Sequence, residues 1–182
     1  KVILDSVSEE ECYQLLSIED WLGMTPLHWS CFESDTESVR VMLNHINQDM
    51  WYSLLQMTDE DGNTPIHYPY YNCNNTDYMK VIHESVTHTQ WINLLQMKGG
   101  VEMTVLQTTA YWDKQSGFIE TVRESVSNEE WIKLLSTPLP EYINTISYNN
   151  AEYQRAVSKI DELRTAARVK SALLIANQSG EK

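Results

Sequence analysis

The chain has 182 residues, of which 42% are hydrophobic, and its 26 acidic against 13 basic side chains give a formal net charge of −13. This length and apolar content predict one folded domain or a short repeat array and exclude a disordered acidic tail. No apolar run approaches the roughly 20 residues of a membrane span, and the shortage of Lys and Arg argues against binding to nucleic acid.

The first seven residues predict the end of a helix. Val2, Ile3 and Val7 have the apolar spacing that recurs 39 residues later within a longer helical stripe. We therefore expect residues 1–7 to complete a unit that begins earlier, and the chain to be cut from a longer array that carries further domains.

A leucine pair recurs along the chain at a nearly constant interval. The pairs begin at Leu15, Leu54, Leu94 and Leu134, which are separated by 39, 40 and 40 residues. A threonine follows each of the first three pairs at the same offset. A period shared by four copies predicts a stacked array of repeats.

Two copies contain a longer common motif. Gly23–His28 reads G-M-T-P-L-H, and Gly62–His67 reads G-N-T-P-I-H. Glycine permits the positive φ of a tight turn, threonine caps the helix that follows, and proline suits the first helical turn. Both motifs resemble the G-x-T-P-L-H of the ankyrin repeat. The resemblance implies that His28 and His67 tie each turn to its neighbours, a structural role that we favour over metal binding or catalysis.

Each copy also predicts further helices. A second apolar stripe at helical spacing follows each of the first three threonines, as the helix-loop-helix of an ankyrin unit requires. The copies exceed the usual ankyrin length of about 33 residues. Each extra segment contains a residue that can cap a helix, namely Ser8, Asn47, Thr87 or Ser127, and in three copies a Glu or Gln follows it three positions later. This capping-box spacing predicts a short third helix, which we expect to bury Trp51, Trp91 and Trp131 against neighbouring units.

The motif weakens towards the end of the chain. The third copy has Thr104–Gln107 in place of T-P-L-H and Glu102 at the turn glycine, so we expect Lys98–Gly100 to supply that turn. The fourth copy keeps only Asn144–Ser147, which is typical of a terminal capping unit. In the second copy, Pro69 predicts a distorted or shortened helix because it removes a backbone donor.

The last segment predicts one long helix. Residues 151–177 contain neither glycine nor proline, and an apolar face runs from Ala156 to Leu174. We consider it first a capping helix, then a partner site, then the start of a linker. The chain is accordingly divided into an array at 1–136 and a degenerate capping unit with the long helix at 137–182.

The family resemblance also implies a binding face. In ankyrin proteins the turn tips and first helices form a concave surface, and here those positions carry aromatic rings edged by carboxylates, a composition typical of protein-binding hot spots. The alternative is that some rings fill gaps between units. The residues predicted to bind a partner are Trp21, Trp29, Phe32, Asp61, Tyr68, Tyr71, Tyr111 and Trp112.

The sequence carries no recognised catalytic or metal-binding pattern. The sequence contains no phosphate-binding glycine loop, nucleophile elbow or zinc signature, so we expect no enzymatic activity, cofactor or metal. The cysteines Cys12, Cys31 and Cys73 are odd in number and lack C-x-x-C spacing, which favours a reducing, cytoplasmic location.

The acidity is concentrated in one half of the chain. Residues 1–97 carry 15 acidic and 3 basic side chains, whereas residues 98–182 carry 11 and 10. This asymmetry has two explanations, a solvated acidic face, which we favour, and a preference for a particular partner.

These observations together predict an all-α ankyrin-type solenoid that binds a partner protein through its concave face. The alternative is a scaffold or regulatory segment of a larger signalling protein or channel. In that case the array would contact other domains of its own chain or a second copy.

Overall fold

Short helices joined by tight turns make up the chain. The computed structural model describes residues 4–68, 76–112, 116–140 and 150–179, and these ranges contain ten α-helices and no strand. Single 3-10 turns lie at Leu4–Ser6 and Pro65–His67. The α-helices are α1 (Glu9–Leu16), α2 (Pro26–Phe32), α3 (Thr36–Leu43), α4 (Gln48–Gln56), α5 (Asp77–Ser85), α6 (His88–Gln96), α7 (Val105–Trp112), α8 (Ser116–Ser125), α9 (Asn128–Ser136) and α10 (Asn150–Ser179).

Three kinds of helix recur in order and stack on their counterparts. The first helices are α2, the 3-10 turn at Pro65–His67 and α7, and each contacts the next. The second helices, α3, α5 and α8, form a parallel stack, and the extra helices α4 and α6 pack on each other as well. The predicted all-α repeat array is therefore confirmed. The first helix of the second copy is reduced to a 3-10 turn, while Pro69 lies outside the described residues.

The extra helices begin with the predicted caps. The side chains of Ser8, Thr87 and Ser127 each accept a hydrogen bond from the third helical amide, and the Glu or Gln at that third position returns to the cap amide. Asn47 caps α4 by accepting from the Met50 amide at 3.0 Å. Because each cap satisfies amides that the helix cannot, it stabilises its helix by about 1 kcal/mol.

The tryptophans of the extra helices are core residues, as predicted. Trp51 and Trp91 are fully buried. The Trp51 indole N–H donates to Ser85 Oγ at 2.7 Å, and the Trp91 indole N–H donates to Ser125 Oγ at 2.8 Å. Each serine ends a second helix in the unit that follows. The rings therefore join consecutive units, and their polar atoms stay satisfied inside the core.

Three turn tips stack at one edge of the array. They are Asp20–Met24, Asp59–Asn63 and Gly99–Met103, and in each the amide of the first residue donates to the carbonyl of the last at 2.9–3.0 Å. The first two tips are joined directly, since the Glu60 amide donates to the Leu22 carbonyl at 3.0 Å. The tips therefore form a continuous ridge along the repeats.

Backbone conformation at the third tip differs from the prediction for Lys98–Gly100. Gly23 and Gly62 have φ of 73° and 79°, and Glu102 itself adopts φ of 55° at the equivalent position. Gly100 is needed for close packing instead, because a Cβ atom there would lie 1.3 Å from the Asp61 carbonyl oxygen. Gly99 and Gly100 do form part of this turn, as expected, but the positive φ of the missing turn glycine is adopted by Glu102.

The long helix α10 packs against α7 and α9. It buries Ala156, Ile160 and Ala167, and Arg164 donates to the Leu135 carbonyl at 2.5 Å, where α9 would otherwise leave acceptors free. These contacts fit a capping helix. The predicted apolar face does not continue to Leu174, which is exposed. The division of the chain at residue 136 stays a prediction, although α9 ends there.

Candidate functional site

The first turn tip presents two tryptophans around one carboxylate. Trp21 is 81% exposed and Trp29, on α2, is 39% exposed. The Trp29 indole N–H donates to Asp20 Oδ2 at 2.9 Å, while Asp20 Oδ1 accepts from the Leu22 and Met24 amides at 2.9 and 3.0 Å. Asp20 therefore holds the turn closed and orients the Trp29 ring with the same side chain.

The carboxylates of the tips make this edge acidic. Desolvation acts to raise the pKa of Asp20, but hydrogen bonds from Trp29 and the two tip amides outweigh it and hold the pKa below its ordinary value. On the second tip, Glu60 and Asp61 are exposed. We call the surface of the first two tips and α2 the tip face; its members are the exposed Asp20, Trp21, Trp29, Glu60 and Asp61 and the half-buried Phe32.

Edge-to-face contacts between aromatic rings connect the tip face to the interior of the array. Phe32 lies 5.5 Å from the Trp29 ring and 5.9 Å from the Tyr68 ring, centroid to centroid. Tyr68 is only 8% exposed, its ring stands against His28 at 6.3 Å, and its hydroxyl donates to the buried carboxylate of Asp59. The expectation that Tyr68 is exposed is wrong, because the ring and the hydroxyl both find partners inside the array.

The other predicted site residues differ in their exposure, and two of them cannot be placed on the surface. Asp61 stands on the second tip beside the first, whereas Tyr111 on α7 is half-buried. Trp112 ends α7, but its side chain lies outside the description, and Tyr71 lies outside the described residues altogether. The structure therefore joins Trp29 and Phe32 by a ring contact, places Trp21 on the same tip as Asp20, and buries Tyr68.

Two apolar residues near the first tip were not predicted to be exposed. Leu15 and Ile18 are exposed on the segment that leads from α1 into the tip. The matching leucines of the other copies are buried, so the leucine pattern could not identify Leu15 as a surface residue. The sequence does contain one signal that Trp21 is exposed. Its place is taken by Glu60 and Gly100 in the next two copies, so the turn itself does not require an aromatic ring.

His28 joins the first unit to the second. Its Nδ1 lies 2.8 Å from Thr25 Oγ1, and its Nε2 lies 3.1 Å from the carbonyl oxygen of Asn63 on the next tip. Burial lowers the pKa of His28, so the ring is neutral at neutral pH. These contacts confirm the predicted structural role for His28. His67 keeps the contact within its own turn, with Nδ1 at 2.7 Å from Thr64 Oγ1, but its Nε2 has no hydrogen-bond partner among the described residues.

A glutamine provides the same connection in the third copy. Gln107 Oε1 accepts from the Thr104 amide at 3.0 Å, and Gln107 Nε2 donates to the Thr137 carbonyl at 2.8 Å. Glutamine can accept at one end and donate at the other, as a neutral histidine does. The loss of the motif in the sequence therefore leaves the hydrogen bond between units intact.

Neither a metal-binding cluster nor a membrane-spanning helix occurs in the described ranges. Among residues 4–68, 76–112, 116–140 and 150–179, no group of three or more His, Cys, Asp or Glu side chains is placed to hold a metal ion. Within the same residues, no helix combines the length and apolar character needed to cross a membrane.

Comparison with known proteins identifies one repeat. A family model described as the ankyrin repeat matches residues 22–50, which include the end of the first tip, α2, α3 and the start of α4. No curated protein and no solved structure gives a significant match to the chain. The matched segment contains Trp29 and Phe32 of the tip face, whereas the other tip-face residues lie outside it.

Proposed function

We propose that this chain is a non-enzymatic module that binds a partner protein through the tip face, a proposal supported by the match of residues 22–50 to the ankyrin repeat model. Ankyrin repeats are in general protein–protein interaction modules. The observation that carries the proposal for this surface is Trp21, a large aromatic side chain left 81% exposed on a hydrogen-bonded turn.

The arrangement of the tip face supports tight contact with a protein. Trp and Tyr dominate binding hot spots because a single ring removes a large apolar area from water. Asp20 fixes the Trp29 ring through a 2.9 Å hydrogen bond, so less side-chain freedom is lost when a partner binds. The exposed carboxylates of Glu60 and Asp61 form the polar rim that such interfaces share.

The proposal is tested by comparing what three baits capture. The wild-type chain, Trp21→Ala and Val169→Ala are immobilised at equal density, and captured proteins from the native cell type are quantified by mass spectrometry. Val169→Ala is the matched control, since Val169 is also exposed but lies on α10, away from the tip face. Proteins retained by the wild type and the control but lost from Trp21→Ala support the tip face. Equal capture by all three baits contradicts it.

A second candidate function is self-association or contact with the rest of a longer chain, as in a scaffold. It is favoured by the end of α10, where Leu173, Leu174 and Ile175 are all exposed. Exposed apolar groups in such a cluster are typical of interaction surfaces. Sedimentation of the wild type and of Leu173→Gln tests it, because self-association through α10 should disappear in the variant.

The proposed location is the cytoplasm, and it rests on the thiols. Cys12 and Cys31 are free and buried, and burial raises the pKa of the Cys31 thiol. A protein that keeps buried thiols unpaired suits a reducing compartment. Quantitative alkylation of the unfolded chain, purified without reductant from its native cell, should label both thiols. A disulfide at either cysteine would contradict the proposal.

A further inference from the structure

The tip face carries a concentrated negative charge. From Glu9 to Met79 the sequence contains a single basic residue, Arg40, which lies on α3 in the stack of second helices. Within the described residues, no ion pair neutralises Glu60 or Asp61. The backbone hydrogen bond from Glu60 to Leu22 places these two carboxylates on the turn directly beside the one that carries Trp21.

The third tip shows that this charge is not a general property of the ridge. There, Lys98 pairs with Glu102 at 3.3 Å, and Gly100 and Val101 take the places of Glu60 and Asp61. Of the three described tips, the first carries the exposed Trp21 and the second carries Glu60 and Asp61 without ion-pair partners in the described ranges. The two features therefore lie side by side on the first two tips, and the third tip has neither. A solvated acidic face needs no exposed tryptophan, so solvation alone does not explain the combination.

A basic side chain satisfies both features at once. The face of an indole ring attracts guanidinium and ammonium groups, and Trp binds them better than Tyr or Phe. A carboxylate beside the ring adds a charge-assisted hydrogen bond, which Arg makes with two donors. An acidic segment or a nucleic acid would meet the same carboxylates with like charge and be repelled.

We propose that the occupant of the tip face is a basic segment of a partner protein, whose Arg or Lys side chains lie over Trp21 and Trp29 and pair with Glu60 and Asp61. The segment runs along the ridge, because the two tips are stacked side by side. This inference rests on the proposed function and adds the chemical character of the partner.

The test begins with selection from a random library of short peptides displayed on phage, with the wild-type chain as target. The most enriched sequences are synthesised with a fluorescent label, and their affinities are measured by anisotropy. We expect these peptides to carry a net positive charge and at least one apolar or aromatic residue. Peptides with no excess of Arg and Lys, or no enrichment at all, would overturn the inference.

Variants then connect binding to the named side chains. For an enriched peptide, Trp21→Ala should weaken binding about tenfold, as expected for a hot-spot residue. The double variant Glu60→Gln/Asp61→Asn should weaken it severalfold at about 50 mM NaCl, and that loss should shrink at about 500 mM, where exposed charges are screened. The double variant Glu120→Gln/Glu124→Gln is the matched control, since it removes the same charge from exposed sites on α8.

The outcomes separate the inference from the proposed function. If the Glu60→Gln/Asp61→Asn variant binds as well as the wild type, or loses no more affinity than the Glu120→Gln/Glu124→Gln control, the charge argument is refuted. If the enriched peptides are neutral but still lose affinity with Trp21→Ala, the tip face binds protein and only the basic character is wrong. If Trp21→Ala leaves binding unchanged, the site itself is misplaced. Thermal unfolding of every variant checks that the array stays folded.

Discussion

Acidification should destabilise the array through a buried histidine. His67 is 1% exposed, its Nδ1 lies 2.7 Å from Thr64 Oγ1, and its Nε2 has no hydrogen-bond partner among the described residues. Burial lowers the pKa of His67 to about 4, although the nearby carbonyls of Met103 and Met97 act in the opposite direction. The unfolded chain therefore binds a proton at a pH where the folded chain does not.

The direction and size of the effect follow from that difference. The free energy of unfolding keeps its full value above the unfolded pKa of about 6.5, where His67 is neutral in both states, and falls as the pH is lowered towards about 4. Since one pKa unit corresponds to about 1.4 kcal/mol, the total loss approaches about 3 kcal/mol at the acid end. His28 adds to it in the same direction, because burial lowers its pKa as well.

Replacement by glutamine tests this reasoning with a residue that the array already uses. Gln107 makes in the third copy the contacts that His28 makes in the first, so a glutamine fits this place in the array and His67→Gln should change stability at pH 7 by less than about 1 kcal/mol. It should also remove much of the loss between pH 7 and about 4.5, above most carboxylate titration. His88→Gln, at an exposed histidine, is the control and should keep the acid sensitivity.

The assay is urea unfolding followed by circular dichroism at pH 7, 6, 5 and about 4.5, a range in which an ordinary histidine gains its proton. The wild type and His88→Gln should lose stability steeply, and His67→Gln only gradually. Equal losses in the wild type and in His67→Gln would refute the assignment of the acid sensitivity to His67.

Four substitutions test the burial of the tryptophans and the backbone of the turn tips. Trp91→Ala should destabilise the array by about 3–5 kcal/mol in the same assay, whereas Trp21→Ala should cost less than about 1, and similar losses would contradict the assigned burial. Glu102→Gly should raise the unfolding midpoint, because a non-glycine residue at φ of 55° is strained by about 1–2 kcal/mol; a lower midpoint would argue against that strain. Gly100→Ala should lower the free energy of unfolding by more than about 2 kcal/mol, since its Cβ would overlap the Asp61 carbonyl. A neutral effect would show that the tips can separate.

Local features of this fold could be predicted because their causes lie within a few residues. The caps at Ser8, Thr87 and Ser127 depend on hydrogen bonds to a residue three positions later, and all three are present. Burial of Trp51 and Trp91 followed from helical spacing, since the residues of one helix face share one environment. The repeat period likewise predicted how the units stack.

The candidate site was only partly predictable for the opposite reason. Trp21 and Trp29 stand where the family resemblance implied, but the role of Asp20 in orienting Trp29 depends on how the turn places two side chains nine residues apart. Tyr68 is buried because Asp59 and Phe32 reach it from other segments, and no local pattern encodes that contact.

The contrast between Leu15 and Leu54 shows where the division lies. Each is the first residue of the leucine pair in its own copy, yet Leu15 is exposed and Leu54 is fully buried. Periodicity in the sequence determines which face of a helix is apolar, and it did so for both. Whether that face is covered depends on residues of another unit, about 40 positions away in the chain, and the tertiary structure alone decides it.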